Sequence, residues 1–263
     1  IEKKTFSEII NMTQTSTKKN KETLDSKAII ELLLKDAPKT EEVALDLPSK
    51  NRGYKTLTGK EPSLRPMTFD DEKALLANKD PNIDPINILL NRCLSNLTVN
   101  ELYQMDKLYI LMKLREISYG DEYNLEISCP SCQKDSSVMF KLSELPIKEV
   151  SEDFSDSVEI TLPVLGHKVN IRIPRVKDEH YFATTDHALV NLWRFVNAIN
   201  EYDQKNIISE VIEKLPLRDA HAVLNAISST KYGLDTQVSF LCNYCNTRTK
   251  MELPITSDFF TVS

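Results

Sequence analysis

The sequence predicts an α+β fold: two divergent copies of a helical module, each ending in a zinc-ribbon-like CxxC β-hairpin, preceded by an extended N-terminal arm. Three observations carry this. Tyr119-Gly120 is followed by Cys129-Pro-Ser-Cys132, and Tyr232-Gly233 by Cys242-Asn-Tyr-Cys245, with the same nine-position step from Gly to Cys (129 − 120 and 242 − 233). Alternating apolar and polar residues flank each cysteine pair: Tyr123–Ile127 and Ser137–Leu142 in the first copy, Thr236–Phe240 and Arg248–Leu253 in the second. Each copy then reaches a Leu-Pro-Ile triplet, Leu145-Pro146-Ile147 or Leu253-Pro254-Ile255, and segments of helical period precede both hairpins. The organisation implied is an arm with a short helix over 1–60, a first module over 61–150 and a second over 151–263.

Two thiolates three positions apart on a turn can face one ion, and two such turns supply a tetrahedral set of four sulfurs. Cys129, Cys132, Cys242 and Cys245 are therefore the expected metal ligands, with zinc as a structural cofactor shared by both hairpins. Reduced or disulfide-bonded thiols are the second reading of the same spacing. A redox pair is the third, although such pairs normally open a helix after a strand, whereas strands flank both pairs here. Zinc knuckles place Gly after the second Cys, where the chain turns left-handed; Gln133 and Asn246 stand there instead, and Asn tolerates that backbone better than Gln. Cys93, on an apolar helix face, is expected to be a buried free thiol.

Composition removes several function classes. A formal charge of −6 over 263 residues argues against nucleic-acid binding. No apolar run approaches the roughly 20 residues that span a bilayer. The start carries no signal-peptide pattern, so synthesis in the cytoplasm with reduced thiols is expected. Gly120 and Gly233 are two of only five glycines, which predicts a positive φ where each preceding helix stops.

Along the chain, residues 1–24 are rich in Lys, Thr, Ser and Asn and have few apolar anchors. Residues 26–36 suit a short helix whose Ile29, Ile30, Leu32, Leu33 and Leu34 are too dense for a solvated one. Residues 41–66 read as extended, and the first globular unit is expected to start near Leu64. Thr68 with Asp71, and Asp84-Pro85, start helices. Thr98-Val-Asn-Glu101 has the capping-box pattern and is expected to open a long helix reaching about Ile117. The second module begins with a hairpin, Val158–Leu162 against Val169–Ile173, followed by helices over about 186–199, 204–214 and 218–228. Asp106 and Asp219 each lie fourteen positions before their glycine (120 − 106 and 233 − 219).

No catalytic constellation is legible. His167, His180, His187 and His221 form no metal set, and no phosphate-binding glycine loop or serine elbow occurs. The acids at 70–72 and 178–179 fall at helix starts, where unpaired N–H groups favour carboxylates.

Leu47-Pro48-Ser49-Lys50, Tyr54, Leu64-Arg65-Pro66-Met67-Thr68, Glu72–Leu76, Leu114-Arg115, Tyr119-Gly120 and the two cysteine hairpins, the second closing on Ile255-Thr-Ser-Asp-Phe-Phe260, stand in an order that resembles the baseplate hub proteins and hub assembly chaperones of T-even-like contractile-tailed bacteriophages. The resemblance implies a late-expressed, non-enzymatic protein. It would bind other baseplate hub and tail proteins, in the virion tail or in the host cytoplasm during assembly, with no nucleic acid or small-molecule substrate. A zinc-ribbon nucleic-acid-binding accessory protein and a thiol oxidoreductase are the rival functions.

Overall fold

A computed structural model describes residues 26–34, 41–54, 59–77, 84–182, 184–228 and 232–261; the expectation for residues 1–24 lies outside these. Contacts divide the chain into two units, Ile1–Thr40 and Glu41–Ser263. In the first, Ser26–Leu33 is a helix, and its Ile29, Ile30, Leu32 and Leu33 are exposed. No described helix is long and apolar enough to cross a membrane.

The second unit contains two three-stranded antiparallel sheets with the same strand order. Val43–Ala44, Ser63–Leu64 and Leu94–Ser95 form one; Ser157–Thr161, Lys168–Arg172 and Val196–Ile199 form the other. The same side-chain devices recur around both. Where the middle strand ends, Arg65 grips Asp71 with two hydrogen bonds of 2.7 and 3.0 Å, and Arg172 grips Asp178 with two of 2.6 and 2.8 Å. Each carboxylate also accepts a backbone N–H three residues upstream, from Thr68 at 2.8 Å and from Arg175 at 2.9 Å. These bonds satisfy donors that a helical turn leaves unpaired at its start.

A second buried carboxylate repeats in the same way. Asp106, two residues into the helix Gln104–Tyr119, accepts the Ser49 N–H at 3.1 Å. Asp219, two residues into the helix Leu217–Ser228, accepts the N–H groups of Val164 and Leu165 at 2.7 and 3.1 Å. Each acid pins a Leu-Pro turn, Leu47-Pro48 or Leu162-Pro163, to the start of its helix.

Several helices follow from their ends. Asp84 Oδ1 accepts the Ile86 N–H at 2.9 Å, Pro85 fills the first position, and the helix runs Pro85–Cys93. Lys205–Glu213 and Leu217–Ser228 lie within a residue or two of the ranges that their spacing predicts.

Three expectations are corrected. Residues 186–199 are not one helix: Thr185–Val190 is helical, Leu192–Phe195 is a 3-10 turn, and Val196–Ile199 is a strand. A short apolar run fits both periods, and sheet pairing of buried Val196 and Ile199 with Ile171 and Val169 decides it. Thr98 caps nothing with its side chain; Val99–Glu101 is a 3-10 turn, and the long helix starts at Gln104. Leu45, Leu47 and Tyr54, read as part of an extended segment ahead of the globular unit, are buried in its core.

Among the described residues, three apolar clusters result. The first joins Leu47, Leu64, Leu90 and Ile110 to Phe259 and Phe260. The second lies under the sheet 157–199, around Val169, Phe195, Ile208 and Val223. The third lies between the cysteine hairpins. A polar seam joins the two halves of the unit: the Val176 N–H donates to the Leu102 carbonyl at 2.8 Å, Arg175 to the Glu101 carbonyl at 2.6 Å, and Lys177 pairs with Glu101 at 2.9 Å.

Gly120 and Gly233 have φ of +96° and +111° as expected, but their surroundings differ. A Cβ at Gly120 meets nothing within 4 Å, whereas one at Gly233 would lie 2.7 Å from Met105 Cβ. Gly120→Ala should cost about 1–2 kcal/mol from backbone strain alone. Gly233→Ala should add an overpacking cost of about 1–3 kcal/mol. The difference is read from urea midpoints at an unchanged slope.

Candidate metal centre

Each hairpin is closed by the same four backbone atoms. In the first, Glu122–Ser128 pairs with Asp135–Lys141; the Cys129 N–H donates to the Lys134 carbonyl at 3.0 Å, and the Gln133 N–H to the Cys129 carbonyl at 2.8 Å. In the second, Gln237–Leu241 pairs with Arg248–Glu252; the Cys242 N–H donates to the Thr247 carbonyl at 3.0 Å, and the Asn246 N–H to the Cys242 carbonyl at 2.9 Å. Both turns are left-handed at the position after the second cysteine, with φ of 57° at Gln133 and 54° at Asn246. The knuckle backbone therefore forms without glycine, at the strain such residues carry. Gln133→Gly should relieve about 1–2 kcal/mol of strain and return about 0.5–1 kcal/mol in chain entropy, a small net stabilisation. Asn246→Gly should gain less, and denaturant titration of each variant against the wild type measures both.

The two tips meet. Cys129 Sγ lies 3.7 Å from Cys245 Sγ, and Cys132 Sγ lies 3.6 Å from Cys242 Sγ. All four sulfurs fall within 4.8 Å of one another, and none is in a disulfide. A tetrahedron with zinc–sulfur bonds of about 2.3 Å has edges of about 3.8 Å, which the two close pairs already match, while separations of up to 4.8 Å elsewhere in the set would have to tighten around an ion. Four soft thiolates also disfavour calcium and magnesium, which take oxygen. These four cysteines can hold a metal ion. Beneath them Ile127 and Phe240 are buried, with Leu125, Val138, Phe140 and Met251 packed against them, so an apolar base fixes the spacing of the tips.

Neighbouring donors favour the thiolate form on the second hairpin. The Thr247 hydroxyl, 3.3 Å from Cys245 Sγ, and the Thr247 N–H bring that thiol down to about 6. The N–H of Tyr244, 3.5 Å from Cys242 Sγ, and that of Cys245 lower the second thiol. Cys132, although the Lys134 N–H favours its thiolate, is held up at about 11 by burial and the surrounding sulfurs. A bound cation would remove that opposition.

None of the four histidines joins the cluster. Cys93 sits apart in the first core, and burial pushes its thiol up to about 11. Thr247 and the Tyr244 N–H, which tune the sulfurs, carried no signal in the spacing of the cysteines. Their position two residues beyond a cysteine is the one feature that could have marked them.

The chain matches the family described as T4 bacteriophage base plate protein over residues 40–261. Comparisons with curated proteins and with solved structures give no match. With 222 of 263 residues aligned (261 − 40 + 1), including both cysteine hairpins, the chain belongs to the T4 bacteriophage base plate protein family.

Proposed function

We propose that this chain is a non-enzymatic component or assembly factor of the baseplate hub, working by protein–protein binding in the contractile tail. The observation that carries this is the helix Ser26–Leu33, which exposes Ile29, Ile30, Leu32 and Leu33 together. A large apolar surface of that kind marks an interaction site. It lies outside residues 40–261, which match the family.

On this reading the unit 41–263 is a scaffold of two divergent copies of one module. The matched sheets, Arg–Asp grips and buried carboxylates support that duplication. One structural zinc ion, held by Cys129, Cys132, Cys242 and Cys245, ties the copies together at their tips. It supplies cross-linking alone; no step of chemistry passes through it.

Removing residues 1–40 should leave a folded, metal-binding unit that no longer supports hub assembly. The measurement is recovery of hub complexes from cells that supply the truncated chain in place of the full one. Normal recovery would count against the reading.

A further inference from the structure

The seam between the two halves is not symmetric. The first half contributes a corner, Glu101-Leu102-Tyr103, and the second contributes a turn, Arg175-Val176-Lys177. If the halves are copies of one module, as proposed above, each half should carry both a corner and a turn. One of each would then be left over.

Both leftovers are on the surface. The second corner is Lys214-Leu215-Pro216-Leu217, displaced by 113 positions (214 − 101, 215 − 102), the step that also relates Asp106 to Asp219 and Cys129 to Cys242. The first turn is Thr68-Phe69-Asp70, displaced by 107 (176 − 69, 177 − 70), the step that relates Asp71 to Asp178. The backbone equivalence is detailed: Leu102 N–H donates to the Val99 carbonyl, and Leu215 N–H to that of Ile212 (212 − 99 = 113).

The leftover faces are complementary. Phe69, at the place of buried Val176, is 74% exposed, and Leu217 beside the second corner is 78% exposed, with exposed Val164 and Leu165 in the turn held by Asp219. In the seam, the Val176 N–H meets the Leu102 carbonyl; the matching Phe69 N–H and Leu215 carbonyl have no partner among the described residues. The Lys177–Glu101 ion pair has an equivalent with its charges exchanged, Asp70 and Lys214, both exposed and each paired within its own half, with Arg92 and with Glu210, so a partner copy would share them.

We propose that a second copy of this chain docks here head-to-tail, its Thr68–Asp70 turn seated on the Lys214–Leu217 corner of the first. Such a contact uses different patches on the two partners, so it propagates into an open string or closes into a ring.

Sedimentation of the full metal-loaded chain over a concentration series tests this. The mass should rise above one chain with concentration. Phe69→Asp and Leu217→Asp should each weaken association about thirtyfold or more, as loss of a buried apolar anchor does. Mixing the two variants should restore a pair that grows no further, since each retains the face that the other lacks. Asp70→Lys should weaken association, and Lys214→Asp in the same chain should restore it. A chain that stays single at every soluble concentration, an assembly indifferent to both apolar substitutions, or variants that fail to complement in the mixture would overturn the proposal. So would a chain that gains mass only with a different tail protein. Circular dichroism and metal content on the same samples keep the outcomes apart: a single, folded, metal-loaded chain sinks this contact and leaves the duplicated zinc scaffold standing.

Discussion

On the proposed zinc site, Cys242→Ser should abolish metal binding and destabilise the chain by at least about 3 kcal/mol. That is a fraction of the roughly 10–16 kcal/mol that zinc contributes in small peptides without another core. The discount is structural: Ile127, Phe240, Val138 and Met251 still pack the hairpins together once the ion is gone. Native mass spectrometry should find one zinc per chain in the wild type and none in the variant. A strong chelator should lower the melting temperature of the wild type toward that of the variant and leave the variant unchanged. Cys93→Ala, in the first core, should lose stability and bind zinc as the wild type does. A melting curve indifferent to chelator would remove the ion from the account.

Loss of the Asp71 carboxylate should rank next. Asp71 is fully buried and accepts from Arg65 through two bonds, from Arg92 Nε at 2.6 Å, and from Thr68. Breaking a buried pair of this kind costs about 3–5 kcal/mol. Asp71→Ala should fall at the lower end, because both arginines keep partial access to water. The pH dependence has a definite sign. Burial alone would raise Asp71, but the Arg65, Arg92 and Thr68 donors outweigh it and hold the acid well below the carboxylate range. A lowered folded-state value means stabilisation that is present above the unfolded value, about 3.9, and is lost as the pH falls below it. Burial likewise opposes Arg172 at Asp178 and is outweighed there. Asp106 runs the other way: burial raises it, so its contribution favours the protonated form and is lost as the pH rises through the raised value. Denaturation across pH should therefore show an acid limb that flattens in Asp71→Ala and persists in Asp106→Asn.

Much of the architecture was legible because local chemistry and global packing agree. Asp84-Pro85 carries its own helix-start signal, an acid that caps and a proline that fits the first position, and the apolar rows of 205–213 and 217–228 have only one way to face a core. Positive φ at Gly120 and Gly233 followed from their rarity and matched spacing. What escaped the sequence was decided by distant partners. Val196 and Ile199 could lie on a helix face until the strand 168–172 claims them. Leu45 and Leu47 lie far from the side chains that bury them, so nothing local marked them as core. At the site, CxxC spacing named four sulfurs, and the fold brings them together. Which sulfur faces which, and the help from Thr247, depend on how two hairpins over a hundred residues apart abut.

The cluster that joins Leu45 and Leu47 to Phe259 and Phe260 sets birth order against assembly order. Leu45 leaves the ribosome 214 positions before Phe259 (259 − 45) and must wait for it. Contacts that distant form slowly, and a chain emerging amino end first offers its unfinished interior to whatever else is sticky. The aromatic pair at 259 and 260 thus acts as a keystone, and the first core closes only after a stretch synthesised long after its opening residues has emerged.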